Sequence, residues 1–148
     1  MARQDTRLES EGAEFLVLGQ LLIHRISAYK TYTNMPGYDL VAVKVAVNPD
    51  SHKSARVQVK SRWRTGALGF PIKNLESDFV VAVFLNRGSK DNKKEILPPR
   101  YYVFPIRLIH EAPRSADWGK VSIKSIPNYE SYENRWDLID SFLLTENA

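Results

Sequence analysis

Asp39 and the run Arg56-Val57-Gln58-Val59-Lys60-Ser61-Arg62 are the residues of this chain whose types and spacing suit a reaction. Side chains alternate along an extended strand, so Arg56, Gln58, Lys60 and Arg62 fall on one face and Ala55, Val57, Val59 and Trp63 on the other. Pairing this strand with the one that starts near Asp39, as a hairpin closed at residues 47 and 54, sets Asp39 across from Arg62 and one diagonal step from Lys60. A slip of two residues sets Asp39 against Lys60 directly. In both registers an acid, an amide and a lysine converge at one end of a sheet. A divalent cation such as Mg2+ or Mn2+ takes hard oxygen ligands. The group offers the Asp39 carboxylate, the Gln58 amide oxygen and the backbone carbonyl of Val59. Lys60 beside such a cation can hold or help deprotonate an attacking water and offset charge on a pentavalent phosphate. The chemistry that suits this set is metal-dependent phosphodiester cleavage. The same residues also make an ordinary cross-strand Asp–Lys ion pair, worth about 0.2–1 kcal/mol, with Gln58 merely solvated.

The elements that must position these residues follow from periodicity. Gly12 to Tyr29 reads as a helix, with Leu8, Phe15, Leu18, Leu22 and Ile26 as its apolar stripe, widened by Val17, Leu21 and Ile23, and with Ser10 as a candidate N-cap. Asn34-Met35-Pro36-Gly37 is a turn. Tyr38 to Val47 and Ala55 to Trp63 form a β-hairpin around the turn Asn48-Pro49-Asp50-Ser51. Thr65 to Ser77, with Gly66, Gly69 and Pro71, reads as a loop with at most one helical turn. Phe79 to Leu85 is the apolar run of a strand buried on both faces. Asn86 to Arg100 is a polar loop, Tyr101 to Pro105 a strand, and Ile106 to Glu111 a short helix or turn. Val121 to Ile126 reads as a late, exposed strand. Asn128 to Leu144 reads as a closing helix with Tyr129, Tyr132, Trp136, Ile139 and Leu143 on one face.

The 148 residues suit a single domain. Composition excludes a disordered chain, a collagen-like repeat and a disulfide scaffold. With no cysteine, thiolate metal sites are excluded, and His24, His52 and His110 form no zinc spacing. No apolar run reaches the length of a membrane span and no targeting segment opens the chain, which points to the cytoplasm. The net charge is +4. Its distribution says more: no acidic residue lies between Asp50 and Glu76, while Lys53, Arg56, Lys60, Arg62, Arg64 and Lys73 do. That stretch reads either as a solvated, lysine-guarded strand edge or as a surface that faces phosphates. Arg56, Arg62, Arg64 and Lys73 are the candidate DNA contacts.

Gly37-Tyr38-Asp39-Leu40-Val41 followed by Arg56-Val57-Gln58-Val59-Lys60-Ser61 resembles the PD-(D/E)xK nuclease superfamily, the restriction-endonuclease-like fold. The starts of the Asp78-Phe79-Val80-Val81 and Tyr101-Tyr102-Val103-Phe104 strands add to the likeness, which covers roughly residues 11 to 105. The resemblance implies an α/β (α+β) fold: a mixed central sheet flanked by an N-terminal and a C-terminal helix. It implies that Asp39 is the metal-binding aspartate and that Gln58 holds the second acidic position. Lys60 is then the lysine two residues later. Glu14, in Gly12-Ala13-Glu14, is the helix acid that assists the metal, often through water. Two positions depart from the pattern. Tyr38 replaces the usual proline before the aspartate. Gln58 replaces an acid and removes one negative charge, which should lower metal affinity. Gln-x-Lys variants occur in homing and restriction-type members that cleave DNA and in members that have lost activity.

Three readings follow. The first is a metal-dependent DNA endonuclease using Glu14, Asp39, Gln58 and Lys60, acting as a homodimer or higher oligomer because cutting both strands with one site per chain takes two chains. The second is a DNA-binding protein on a decayed nuclease scaffold, which Gln58 favours. The third is a small protein-interaction module that uses the Tyr129 to Leu143 face.

Overall fold

The computed structural model describes residues 6–31, 37–44, 53–116 and 118–144. Helix α1 (Arg7–Ile23) leads into strand β1 (Ser27–Lys30). Then come β2 (Leu40–Lys44), β3 (Lys53–Arg62), β4 (Gly69–Pro71), β5 (Phe79–Phe84) and β6 (Arg100–Pro105). Helix α2 (Ile106–Glu111), strand β7 (Lys120–Ser122) and helix α3 (Asp137–Leu144) complete the order. Five strands make one mixed sheet in the order β1-β2-β3-β5-β6, in which β3 and β5 run parallel and every other pair antiparallel. A separate pair joins β4 to β7. The mixed sheet with flanking N- and C-terminal helices is the architecture expected from the sequence.

β5 sits between β3 and β6 and is buried along its whole length. Its alternation feeds two cores. Phe79, Val81 and Val83 join Ala13, Val17 and Leu21 of α1 and Trp136, Ile139 and Leu143 on one face of the sheet. Val80, Ala82 and Phe84 join Phe70, Ile109, Val121 and Ile123 on the other. A strand covered on both sides has no polar position, which is why it reads as an unbroken apolar run. Among the described residues no helix is long and apolar enough to cross a membrane.

Four expectations are corrected. The first helix begins at Arg7 and ends at Ile23, not at Gly12 and Tyr29, and Thr6 precedes it with no side-chain cap, so Ser10 lies inside. Arg25 takes a left-handed φ of 65° and the Ile26 amide bonds back to the Leu21 carbonyl, which closes the helix and frees Ser27–Lys30 to become an edge strand. The segment from Thr65 to Ser77 contains a strand and no helical turn. The late strand is short and passes into a 3-10 turn, Ile123–Ser125, and Val121, Ile123 and Ile126 are buried, not exposed. The closing helix is broken: a 3-10 turn at Tyr129–Tyr132 precedes Asn134, whose φ of 56° is left-handed, and α3 starts only at Asp137. The break sends Tyr129 and Tyr132 to one core and Trp136, Ile139 and Leu143 to the other. That face is divided between the two cores, with Trp136, Ile139 and Leu143 buried and Tyr129 and Tyr132 partly so. The turns at residues 34–36 and 48–51, and His52, lie outside the described residues.

Candidate active site

Gly37, at a φ of 88°, turns the chain into Tyr38 and Asp39 just ahead of β2. The Asp39 main chain is held on both sides. Its amide donates to the Val57 carbonyl at 2.9 Å, and its carbonyl accepts from both the amide and the hydroxyl of Thr31, each at 3.0 Å. Its Oδ2 then accepts the Val59 amide at 2.8 Å. The carboxylate thus takes the place of a strand where β2 has not yet begun. A residue's N–H and C=O leave a strand toward the same edge, so the Val59 carbonyl also faces this side.

The hairpin is antiparallel as expected, but its register differs from both that the sequence suggested. Leu40 pairs with Val57 and Lys44 with Lys53, so continuing by one residue sets Asp39 level with Gln58, not with Arg62 or Lys60. All three registers keep Leu40 and Ala42 on the same side as Ala55 and Val57. A slip of two leaves every side chain on its face, and burial alone does not choose among them.

Gln58 is buried and its Oε1 has no hydrogen-bond partner. Lys60, two residues on, does not close an ion pair with Asp39, although each carries the other's field. Burial lowers the Lys60 ammonium below its usual range, against the pull of Asp39. Burial likewise raises Asp39, against the Val59 amide, Lys60 and Lys30. Glu14 reaches the group from α1. Burial raises it, its hydrogen bond to Lys30 opposes that, and Asp39 adds to the rise. Glu14, Asp39 and Lys60 thus share one electrostatic neighbourhood, with Gln58 on the strand beside them.

Lys30 is the residue that sequence reasoning missed. At the end of β1, its nearly buried Nζ lies 3.1 Å from Glu14 and 3.1 Å from Glu11. Burial works against its charge, but the two carboxylates outweigh that and its pKa is raised. The signal was hidden because β1 fell at the end of a presumed helix, where a lysine is an ordinary surface residue.

The candidate phosphate contacts do not form one patch. Arg56 is tied to Asp78 at 3.5 Å and lies 5.9 Å from the Tyr38 ring. Arg62 donates to the Gly69 carbonyl. It stands about 20 Å along β3 from Arg56 at ~3.3 Å per residue. Arg62 and Arg64, with Trp63 and Lys90, line one open cavity of about 780 Å³ at that end. Lys73 is exposed on the connection between β4 and β5. Among the described residues the histidines fit no metal: His24 Nδ1 donates to the Gln20 carbonyl and its ring packs on Trp136, and His110 lies on α2.

Among the described residues no group of three or more His, Cys, Asp or Glu side chains could hold a metal. Two carboxylates, one orphaned amide oxygen and one backbone carbonyl are the donors available, all of them oxygen. That set suits Mg2+ or Mn2+ better than a softer ion. The orphaned Gln58 Oε1 is the feature that a cation would satisfy, because a buried acceptor without a partner costs about 1–3 kcal/mol.

No family model and no curated protein matches the sequence. Among solved structures, the chain is similar to the bacterial homing endonuclease I-Ssp6803I, with a TM-score of 0.62 and 19% identity over 96% of each chain. A Holliday junction resolvase, Hjc of Archaeoglobus fulgidus, matches more loosely, with a TM-score of 0.48 and 14% identity over 80% of this chain and 88% of that one. In its strand order, its flanking helices and its likeness to the homing endonuclease, the chain has the restriction-endonuclease-like fold.

Proposed function

We propose that the chain is a divalent-metal-dependent endonuclease that hydrolyses phosphodiester bonds in DNA. The observation that carries this reading is the buried, unpartnered Oε1 of Gln58, level with the Asp39 carboxylate, in a chain with an endonuclease fold. Asp39, Gln58 and the Val59 carbonyl hold Mg2+ or Mn2+, with Glu14 assisting, if needed through water. When bound, the cation supplies Lewis-acid activation of the phosphate and a nucleophile at neutral pH. The chain's own residues do the rest. The Val59 amide fixes one Asp39 oxygen and leaves the other free. Lys30 anchors Glu14. Lys60, partly desolvated and unpaired with Asp39, faces charge that develops on the phosphate oxygens. Arg56, Arg62, Arg64 and Lys73 contact the DNA backbone, and two or more copies act together on a duplex.

One observation favours a second reading. Gln58 leaves the site one charge short, as expected of a scaffold that binds DNA without cutting it. Plasmid nicking separates the two. The endonuclease reading expects nicking with Mg2+ or Mn2+, none with a chelator, and a loss of about 100-fold or more in Lys60→Ala with metal affinity unchanged. Binding of DNA with no metal-dependent nicking in any buffer supports the scaffold.

A further inference from the structure

Helix α1 carries two apolar faces and the fold uses one. At about 100° per residue, Ala13, Val17 and Leu21 mark the side set into the sheet. Opposite them, in angular order across about 100°, come Leu22, Phe15, Leu8, Gly19, Gly12 and Ile23. Leu8 is 82% exposed, Phe15 48%, Leu22 51% and Ile23 73%. A side chain at Gly12 or Gly19 would meet nothing within 4 Å, so neither glycine serves packing within the chain, although each costs the helix about 1 kcal/mol.

We propose that this face is the interface of a symmetric homodimer, in which α1 packs antiparallel against α1 of a second copy with the two-fold axis at Phe15. The face is complementary to itself. Phe15 is the middle residue of Arg7–Ile23, and Leu8 and Leu22 stand seven residues to either side. Antiparallel pairing therefore sets Leu8 of each copy against Leu22 of the other and the two Phe15 rings together, the isologous contact of a two-fold dimer. Gly12 and Gly19 leave the surface between these knobs flat, which lets the helix axes approach to about 8 Å. Charge fixes the direction. Glu9 and Glu11 flank the face in its first half, outnumbering Arg7 there although Glu11 also pairs with Lys30, and exposed His24 and Arg25 follow its end. Antiparallel packing brings the basic end of one copy to the acidic start of the other and opposes the helix dipoles, whereas parallel packing stacks like charges. The proposal does not depend on the chain cutting DNA. If it does cut, the axis runs beside the helix that carries Glu14, so two sites sit in one assembly.

Sedimentation and light scattering of the full chain test this. The expected mass at about 50 µM is twice the 17.0 kDa of the chain, falling to monomer in Phe15→Asp with helix content unchanged, because Phe15 lies outside the core. Since the chain has no cysteine, single cysteines report the pairing directly. Phe15→Cys should link copies on mild oxidation. Leu8→Cys alone should not, being about 20 Å from its copy, while a mixture of Leu8→Cys and Leu22→Cys chains should. A chain that stays monomeric, including one that instead co-sediments with phosphatidylcholine vesicles, overturns the proposal. So does a dimer that Phe15→Asp leaves intact, or linkage of Leu8→Cys to itself as fast as Phe15→Cys.

Discussion

Burial works against the charge of both Asp39 and Lys60, which makes the candidate site a local source of instability. Burial raises Asp39 above its ordinary value. A carboxyl shifted that way favours folding below about pH 4, and the benefit is lost as pH rises through the folded value. In metal-free buffer at pH 7, Asp39→Asn should therefore melt a few degrees higher than the parent, and the gain should vanish near pH 4. The amide can still accept the Val59 N–H, so the turn is kept. Thermal melts across that pH range, read beside plasmid nicking, check both halves: activity lost, stability gained. A melting temperature that falls by several degrees at pH 7 contradicts this account of Asp39. At this scale the grouping of the candidate residues was legible. Asp39, Gln58 and Lys60 could be picked out because strand alternation fixes which side chains share a face. Their register could not be read, since slips of two preserve that face, and neither could the orphaned Oε1, which depends on what surrounds Gln58.

Between α1 and β2 the elements are short and their ends decide where the site residues go. Gly37 shows how narrowly. At a φ of 88° a side chain is strained, and its Cβ would run into the Asn74 amide. Asn74 in turn accepts the Glu76 amide at 2.9 Å. Gly37→Ala should cost about 1 kcal/mol or more, seen as a lower urea midpoint. Cleavage should fall further than stability explains, because Asp39 is two residues on. Equal loss in both contradicts a positioning role for the turn. The elements that the sequence showed best are those with an unambiguous pattern: β5 as an unbroken apolar run, β3 as clean alternation, and α2 at its observed limits. The errors share a cause. Arg25 takes left-handed backbone although its type rarely does, so nothing in it announced that the first helix stops; Asn134 is of a type that adopts this backbone readily, a signal of the second break that the helical spacing of its apolar neighbours masked. Missing the first break hid β1 and with it Lys30. It also assigned the exposed Leu8, Phe15 and Leu22 to the core, when Ala13 and Val17 are the residues that touch the sheet.

Over the whole molecule, positive charge lies along β3 and beyond it rather than on one patch: Arg62 and Arg64 lead away from Asp39, while Lys73 precedes Asn74, which abuts Gly37 at the Asp39 end. DNA binding should weaken by orders of magnitude between about 50 and 200 mM salt if six or more phosphates are engaged. Arg64→Ala and Lys73→Ala should each flatten the logarithmic salt slope by about one, measured by fluorescence anisotropy at several salt concentrations. Unchanged slopes remove those residues from the interface. The central claim is that a neutral Gln58 completes an oxygen site for a divalent cation beside Asp39, and calorimetric titration of Mn2+ into the full-length protein tests it most directly. The parent should bind, Gln58→Glu should bind about tenfold more tightly because it restores a charge, and Asp39→Asn should show no measurable heat. Identical titrations for all three proteins would contradict the claim, because neither residue could then be a ligand.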